Sequence, residues 1–313
     1  MILVRSGLYI GAASDLADTQ SLSDSGIFHV LTVDSQEPPP LGDRHTKFVQ
    51  ALDEPCTDLL SFLDECVRFV QEALTAAGAA VLVHWYSHRL YNSHAGVSRS
   101  AAVVTAFIMK TDGLTFEEAY SKLQAVKPDV MINDEFVKQL KLYEVMGCEV
   151  DLTSADYKQY RLQKVTEKYP ELQNLPRELF ALDPTSLGKT NETIYKCRKC
   201  RRSLFRGSSN LNHVPGTGPI AFAHKRMTQT VREDQTKCTS YFIEPVQWME
   251  PALLGVLDGQ LLCPKCSSKL GSFNWYGDQC SCGCWVTPAF QIHKNRVDEV
   301  KHLNFSSVRN VNS

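Results

Sequence analysis

The chain has 313 residues, of which 43% are hydrophobic and 22% charged, so it is long enough for two ordinary domains and is neither fibrous nor disordered in composition. No run approaches the roughly 18 apolar residues that span a bilayer, and the N-terminal segment lacks a signal-peptide cleavage site, so we expect an intracellular protein that binds no membrane. The net charge of −2 hides an asymmetry: residues 1–189 carry 17 Lys and Arg against 26 Asp and Glu, whereas residues 190–313 carry 16 against 9.

This asymmetry suggests two domains with different partners, the basic one being suited to nucleic acid; alternatively it serves solubility alone. Through the first 150 residues, short apolar runs alternate with helical patterns. Such alternation predicts an α/β domain with a central, mostly parallel sheet flanked by helices. The predicted strands are 28–34, 45–53 and 79–84, and the predicted helices are 59–70, 98–111, 115–127 and 134–146.

The chain after this domain changes character. A Tyr- and Lys-rich stretch, 157–176, predicts a helix ended by prolines, and 183–193 is rich in turn residues. From residue 194 onward, turn residues and cysteines are dense and helical periodicity is weak. The sequence therefore predicts an α/β domain at 1–150, a helical connector and linker at 151–193, and a small β- and loop-rich domain at 194–313.

A glycine-containing loop joins the third predicted strand to the next helix. Its backbone N–H groups and the helix dipole favour a bound phosphate. Gly96 permits close approach of the backbone, and Arg99 can donate to two phosphoryl oxygens. The loop reads Ser93-His94-Ala95-Gly96-Val97-Ser98-Arg99-Ser100.

This loop resembles the signature of dual-specificity protein phosphatases, His-Cys-x5-Arg-Ser/Thr. The resemblance implies a thiolate that attacks phosphorus to form a phosphocysteine, with Arg99 holding the phosphoryl oxygens and Ser100 helping the thiolate to leave. The nucleophile should stand six residues before Arg99, where this chain has Ser93. The implied phosphate-binding residues are His94, Ala95, Gly96, Val97, Ser98 and Arg99.

The resemblance also implies a general acid on a loop that precedes a helix. Asp53 fits, since it follows a predicted strand and precedes the first long helix; the alternative is that it only begins a turn. We expect Asp58 to cap that helix. Two further segments resemble the family: GLYIGAASD at its opening strand, and Asn133-x-x-Phe136-x-x-Gln139-Leu140 at its last helix, so the likeness covers residues 3–146.

The chain departs from the family pattern at the nucleophile. Eight residues, Trp85 to Asn92, separate His84 from Ser93, where the family has none. A serine hydroxyl is almost entirely protonated at neutral pH, whereas a thiol beside a helix N-terminus and Arg99 becomes a thiolate. We therefore expect the chain as printed not to turn over substrate.

The genetic code offers an explanation for this departure. The codons of Trp85 and Tyr86 read TG-GTA, and a Ser93 codon of AGT or AGC begins with AG, so the interval has the ends of an intron. Removing it joins TG to T or C, and both codons encode cysteine. Residues 85–93 would become one cysteine, which restores AAVLVH-Cys-HAGVSRS. We interpret Trp85–Asn92 as a retained intron or an error in the assembled coding sequence.

Eight of the eleven cysteines follow Lys196, and an intracellular protein keeps such thiols reduced, so they suggest metal. Two C-x2-C pairs can complete one tetrahedral zinc site, and the remaining ligands suggest a second. Cys284 or His224 could replace a member of the second site, and the pairing between sites is open. The predicted sites are Cys197, Cys200, Cys263 and Cys266, and His213, Cys238, Cys280 and Cys282, each holding a structural Zn2+.

Segments such as CRKCRRSLFR and GQLLCPKC extend the resemblance to dual-specificity phosphatases that carry a C-terminal zinc-binding domain. This implies phosphotyrosine and phosphoserine/threonine proteins as substrates, residence in nucleus and cytoplasm, and a role in large ribosomal subunit maturation. Residues 194–313 would then bind pre-60S particles, and we expect a monomer. Two hypotheses follow: an enzyme with cysteine at position 93, or a catalytically silent scaffold that binds through its zinc domain.

Overall fold

The structure, a computed structural model, describes residues 1–75, 79–85, 97–188, 191–213, 216 and 238–301. The chain divides into two compact units, Met1–Asp151 and Leu152–Ser313. In the described part of the chain, no helix combines the length and apolar character needed to cross a lipid bilayer.

The first unit contains a five-stranded sheet in the order β1-β2-β5-β3-β4, in which only the β1–β2 pair is antiparallel. Parallel strands are covered on both faces and are therefore apolar throughout, which is why the runs around β3 and β5 were recognisable in the sequence. The strands are β1 (Ile2–Arg5), β2 (Leu8–Ala12), β3 (Ile27–Asp34), β4 (His45–Gln50) and β5 (Ala80–Trp85).

Among the described residues of this unit, six helices accompany the sheet, and one of them is central. Residues 98–109 of α4 are all buried, and this helix packs against α3, α5, α6 and the sheet. The predicted α/β fold is confirmed. The helices are α1 (Ala13–Ala17), α2 (Thr19–Asp24), α3 (Leu60–Thr75), α4 (Val97–Asp112), α5 (Phe116–Val126) and α6 (Asp134–Val145).

The second unit is mostly antiparallel β structure. Five strands form the order β10-β11-β14-β9-β8, three form β15-β6-β7, and β12 pairs with β13. The strands are β6 (Ile194–Cys197), β7 (Ser203–Arg206), β8 (Asn210–Leu211), β9 (Ser240–Ile243), β10 (Asp258–Leu262), β11 (Lys269–Asn274), β12 (Asp278–Gln279), β13 (Trp285–Val286), β14 (Ala289–His293) and β15 (Val297–Val300); the helices are α7 (Ala155–Lys168) and α8 (Glu250–Leu253).

Helix α7 lies within the second unit, and its chain continues into that unit's core. The helix ends at Lys168, two residues before Pro170, because the residue preceding a proline disfavours helical geometry. Its side chains Leu162 and Val165 share one buried cluster with Trp275. The stretch predicted as a connector, 151–193, thus contributes core residues to the unit that holds the cysteines.

Candidate active site and metal sites

Of the predicted catalytic residues, Asp53 and the first turn of α4, which carries Arg99 and Ser100, lie at the carboxyl edge of the first sheet, and Ser93 lies outside the described residues. Asp34 is the last residue of β3, Asp53 follows β4, and α4 begins in the chain segment after β5. The carboxyl edge of a parallel sheet is where α/β domains commonly bind ligands, since loops and helix N-termini meet there. The site is therefore built from the ends of three neighbouring strands.

Arg99 lies in the first turn of α4 and is 6% exposed. Its Nη1 lies 3.1 Å from Asp34 Oδ1 and donates a hydrogen bond of 2.9 Å to the carbonyl oxygen of Ala51. Buried Nε has no partner among the described residues. Because both contacts use Nη1, the guanidinium edge formed by Nε and Nη2 can donate to two oxygens of one phosphoryl group.

The helix begins earlier than predicted. The observed start, Val97, precedes the predicted start at 98 by one residue. Ser98, Arg99 and Ser100, predicted both in this helix and at the phosphate site, lie in its first turn, whereas Ser93, His94, Ala95 and Gly96 lie outside the described residues. The first N–H groups of a helix have no intrahelical acceptor, so this turn can itself supply donors to an anion. The Ser100 hydroxyl is buried and has no hydrogen-bond partner in the described part of the chain.

Asp53 is held at this site by Asn133, the N-cap residue of α6. Asn133 Nδ2 donates to Asp53 Oδ1 over 2.6 Å, and the Asn133 backbone N–H donates to Ser98 Oγ over 3.0 Å. The structure thus brings Asp53 and the first turn of α4 together, as the general-acid reading requires. The expected cap is confirmed, since Asp58 Oδ1 accepts from the N–H of Ser61.

Gln139, also on α6, fixes the start of α3 just after the Asp53 loop. Its Oε1 accepts from the N–H groups of Leu59 and Leu60 over 2.9 and 2.8 Å, and its Nε2 donates to the Thr57 carbonyl over 2.8 Å. These bonds satisfy donors that a helix start leaves unpaired. One helix therefore positions both ends of the segment that carries the general acid.

His84, near the end of β5, is completely buried. Its Nε2 lies 2.7 Å from Thr32 Oγ1 on the neighbouring β3. Burial lowers the pKa of His84 to about 4, against smaller opposing effects from a backbone hydrogen bond and the nearby Asp34. The imidazole is accordingly neutral at physiological pH.

Two residues of this site were not identified from the sequence. Asp34 closes an apolar strand, and an acidic residue at the carboxyl end of a parallel strand is a signal that could have marked it. Asn133 was recognised as part of a motif, but its contact with Asp53 joins residues 80 positions apart. Such a contact depends on the tertiary fold and leaves no local pattern.

In the second unit, the two C-x2-C pairs come together. The ligand atoms of Cys197, Cys200, Cys263 and Cys266 all lie within 4.8 Å of one another. The Sγ atoms of Cys197 and Cys266 are 3.8 Å apart, and those of Cys200 and Cys263 are 3.5 Å apart. Thiolates about 2.3 Å from a tetrahedral zinc would be about 3.8 Å apart, so the donor set fits that ion.

Both pairs adopt the same hairpin turn. The N–H of Arg201 donates to the Cys197 carbonyl, and the N–H of Ser267 donates to the Cys263 carbonyl, each over 2.8 Å. Arg201 and Ser267 also share positive φ angles of 64° and 53°, a conformation that favours glycine. Two non-glycine residues in this conformation indicate that the turn is imposed by the closed cysteine cluster rather than by local preference.

The second predicted cluster also comes together. The ligand atoms of His213, Cys238, Cys280 and Cys282 lie within 4.8 Å of one another, with Cys238 Sγ 3.3 Å from His213 Nε2. Cys284 is not in this cluster; its Sγ donates to the carbonyl of its neighbour Trp285. His224, the other alternative, lies outside the described residues. Both clusters could hold a metal ion, and each offers four protein ligands.

Comparison with known proteins found relatives that align over nearly the whole chain. A model of the dual specificity phosphatase catalytic domain matches residues 8–146. Dual specificity protein phosphatase 12 of Homo sapiens is 64% identical, with 97% of this chain and 89% of that protein aligned; tyrosine-protein phosphatase YVH1 of Saccharomyces cerevisiae is 31% identical, with 95% and 90% aligned. The crystal structure of human DUSP28 is 29% identical, covers 46% of this chain and 93% of its own, and has a TM-score of 0.42. The chain belongs to the dual-specificity protein phosphatase family.

Proposed function

We propose that this protein is a phosphatase of phosphotyrosine and phosphoserine/threonine proteins when cysteine stands at the nucleophile position. The observation that carries the proposal is the arrangement of Arg99, which is fixed through Nη1 with its Nε edge at the start of α4. Asp53 lies at the same site through Asn133. A phosphate-binding cation beside a general acid supports phosphoryl transfer.

The reaction has two balanced steps. In the first, a thiolate forms a bond to phosphorus, the bond from phosphorus to the substrate oxygen breaks, and Asp53 gives that oxygen a proton. In the second, water attacks the phosphocysteine, Asp53 takes the proton of that water, and the phosphorus–sulfur bond breaks. Arg99 binds the phosphoryl oxygens throughout, and the Ser100 hydroxyl donates to the departing thiolate.

We infer that the chain as printed is inactive. Ser93 offers an alcohol in place of a thiolate, and eight additional residues separate it from His84. The excision described above requires Ser93 to be encoded by AGT or AGC, and it places one cysteine directly between His84 and His94. The printed chain itself supports the alternative function, a pseudophosphatase scaffold.

A comparison of three full-length chains tests this proposal: the printed chain, a chain with residues 85–93 replaced by one cysteine, and a matched chain with the same replacement by one serine. Only the cysteine chain is expected to hydrolyse p-nitrophenyl phosphate, by a margin of at least about a thousandfold, because loss of a covalent nucleophile is among the largest catalytic losses. Phosphotyrosine and phosphothreonine peptides then test dual specificity.

Phosphatase activity in the printed chain would refute the inference that it is inactive. An inactive chain with the restored cysteine would favour the alternative function, a pseudophosphatase scaffold. Sequencing cDNA across codons 84–94 provides an independent check. The proposed excision removes 24 nucleotides, from the last base of codon 85 to the second base of codon 93. If the message retains them and encodes Ser93 with a codon other than AGT or AGC, the excision account fails.

For the second unit we propose two structural zinc ions, pre-60S particles as partner, and residence of the monomeric protein in nucleus and cytoplasm. The two closed four-ligand clusters support the zinc assignment, since a structural site leaves no position for water. The excess of basic residues supports an RNA-rich partner. Fluorescent tagging of the full chain would test the localisation.

A further inference from the structure

We propose that Asn133 is a positioning residue for the general acid, because its amide holds Asp53 Oδ1 as an acceptor and leaves the catalytic proton on Oδ2. The proposal rests on the proposed phosphatase function and deepens it. Asn133 would then take part in the reaction in addition to capping α6.

The orientation of the Asn133 amide is fixed by α6. Asn133 Oδ1 accepts from the N–H of Phe136 over 2.8 Å, which is the N-cap hydrogen bond of this helix. Only the oxygen of the amide can accept that bond, so the NH2 group must point the other way, toward Asp53 Oδ1 at 2.6 Å. If the amide were flipped, its NH2 group would face the N–H donor of Phe136, and its oxygen would face Asp53 Oδ1, so both hydrogen bonds would be lost.

This orientation determines how Asp53 carries its proton. A protonated carboxyl group has one carbonyl oxygen and one hydroxyl oxygen, and the carbonyl oxygen is the stronger acceptor, so an N–H donor favours the proton on the other oxygen. Asp53 Oδ2 is therefore the hydroxyl that donates to the leaving group. Once the proton has left, the same N–H faces a carboxylate, and the hydrogen bond strengthens because its acceptor is charged. Asn133 thus stabilises the charge that Asp53 develops as the reaction proceeds.

Asn133 also relates the acid to the phosphate-binding arginine. Its backbone N–H donates to Ser98 Oγ, one residue before Arg99. Gln139, on the same helix, holds the N–H groups that open α3 beyond the acid. One helix start therefore sets the distance between the proton donor and the group that binds the phosphoryl oxygens.

The test uses the full chain in which one cysteine replaces residues 85–93, and measures kcat/KM across aryl phosphates whose phenols differ in acidity. A proton donor matters most for the most basic leaving group. Asn133→Ser keeps an oxygen for the cap and removes the NH2 donor, so we expect about a tenfold greater loss with phenyl phosphate than with the most acidic phenol. Asp53→Asn in the same chain gives the upper limit of this effect.

Two further variants separate positioning from stability. Asn133→Ala removes both the cap and the donor and should lower Tm by about 2–4 °C. Its kcat/KM should depend as steeply on the acidity of the phenol as that of Asn133→Ser. Thr115→Ala removes the N-cap of α5, which does not touch the site, and should lower Tm without changing the dependence. The proposal would be overturned if kcat/KM of Asn133→Ser depended on the acidity of the phenol as the parent's does. A change seen only in Asn133→Ala would overturn it as well.

A measurement without catalysis keeps this inference distinct from the proposed function. In the printed chain, Asp53→Ala should move the NMR signals of the Asn133 side-chain NH2 protons upfield, since a carboxylate acceptor is lost. Unmoved signals would refute the contact itself. If the parent cysteine chain is inactive although these signals move, the proposed function fails while the hydrogen bond stands.

Discussion

His84 illustrates how a single buried group makes the stability of the first unit depend on pH. Its pKa is about 4 in the folded chain because burial disfavours the charged imidazolium, whereas an unfolded histidine titrates near 6.5. Between these values the unfolded chain binds a proton that the folded chain does not. Stability from this group is thus complete above about pH 6.5 and is lost as pH falls toward 4.

The expected size of this effect is about 3 kcal/mol of unfolding free energy between pH 7 and pH 4, since each unit of pKa difference contributes about 1.4 kcal/mol. His84→Asn keeps a polar partner for Thr32 but does not titrate. In urea unfolding of the first unit at pH 7, 6 and 5, the parent should lose stability faster than this variant. A constant difference between the two proteins across this range would contradict the assignment.

Arg99 and Asp34 show a second residue-scale feature, a buried ion pair at the phosphate site. Removing one partner of such a pair is strongly destabilising because the remaining charge is left uncompensated. Asp34 therefore fixes the arginine before any substrate arrives. The substrate phosphoryl group then meets a guanidinium that is already oriented, so little conformational freedom remains to be lost on binding.

At the scale of elements, the sequence predicted what local patterns determine. Strands β3, β4 and β5 and helices α3 to α6 were predicted because apolar runs and helical spacing reflect burial on known faces. Strand β4 ends at Gln50, three residues earlier than predicted, because the chain turns toward Asp53 and Pro55. Strand β1 and helices α1 and α2 were not predicted, since elements of four to six residues carry too little periodicity.

The cysteine clusters were predictable for a different reason. A C-x2-C spacing directs two thiolates to one point whatever the surrounding fold. The pairs that begin at Cys197 and Cys263 could therefore be recognised from the local sequence alone. The hydrogen bonds of Asn133 and Asp34 have no such signature. They became visible only when the fold brought distant segments to one sheet edge.

Helix α7 leads to a prediction about the folding unit that holds the metal sites. Lys158 on this helix pairs with Glu244 over 2.9 Å, and the N–H of Ala181 donates to the Pro245 carbonyl over 2.8 Å. A fragment beginning at 190 would lose these contacts and six buried side chains of the second core, on the order of 10 kcal/mol of burial, which is comparable to the stability of a whole domain. The six are Leu162, Val165, Leu172, Leu175, Leu179 and Phe180.

We therefore expect residues 152–313, purified with zinc, to unfold cooperatively and to carry two ions in native mass spectrometry, and residues 190–313 to melt without a cooperative transition. Chelator should unfold the longer fragment, because structural zinc supplies about 10–16 kcal/mol of apparent binding free energy. Leu172→Ala should destabilise it by about 2–5 kcal/mol, whereas exposed Leu152→Ala should not. Equal stability of the two fragments would show that α7 is only a connector.

At the scale of the whole molecule, charge divides along the boundary between the units. Residues 1–151 carry 11 Lys and Arg against 21 Asp and Glu, whereas residues 152–313 carry 22 against 14. The acidic unit repels polyanions and the basic unit attracts them. A polyanion should therefore bind the basic unit in preference to the acidic one.

The last prediction concerns this basic unit and its proposed pre-60S partner. Lys199 and Lys265 occupy the same position in the two C-x2-C turns and are both exposed, so each turn presents a lysine beside the same cysteine cluster. Because contacts with nucleic acid release counterions, residues 152–313 should co-sediment with pre-60S particles and lose at least about tenfold in affinity between 50 and 200 mM salt. Replacing both lysines by Gln should weaken binding and reduce the salt dependence. The matched control, Arg201→Gln with Asp298→Asn, removes the ion pairs of Asp298 with Arg201 and Arg198 without changing net charge and should bind as the parent does. Association through residues 1–151, or binding insensitive to salt, would show that charge does not select the partner.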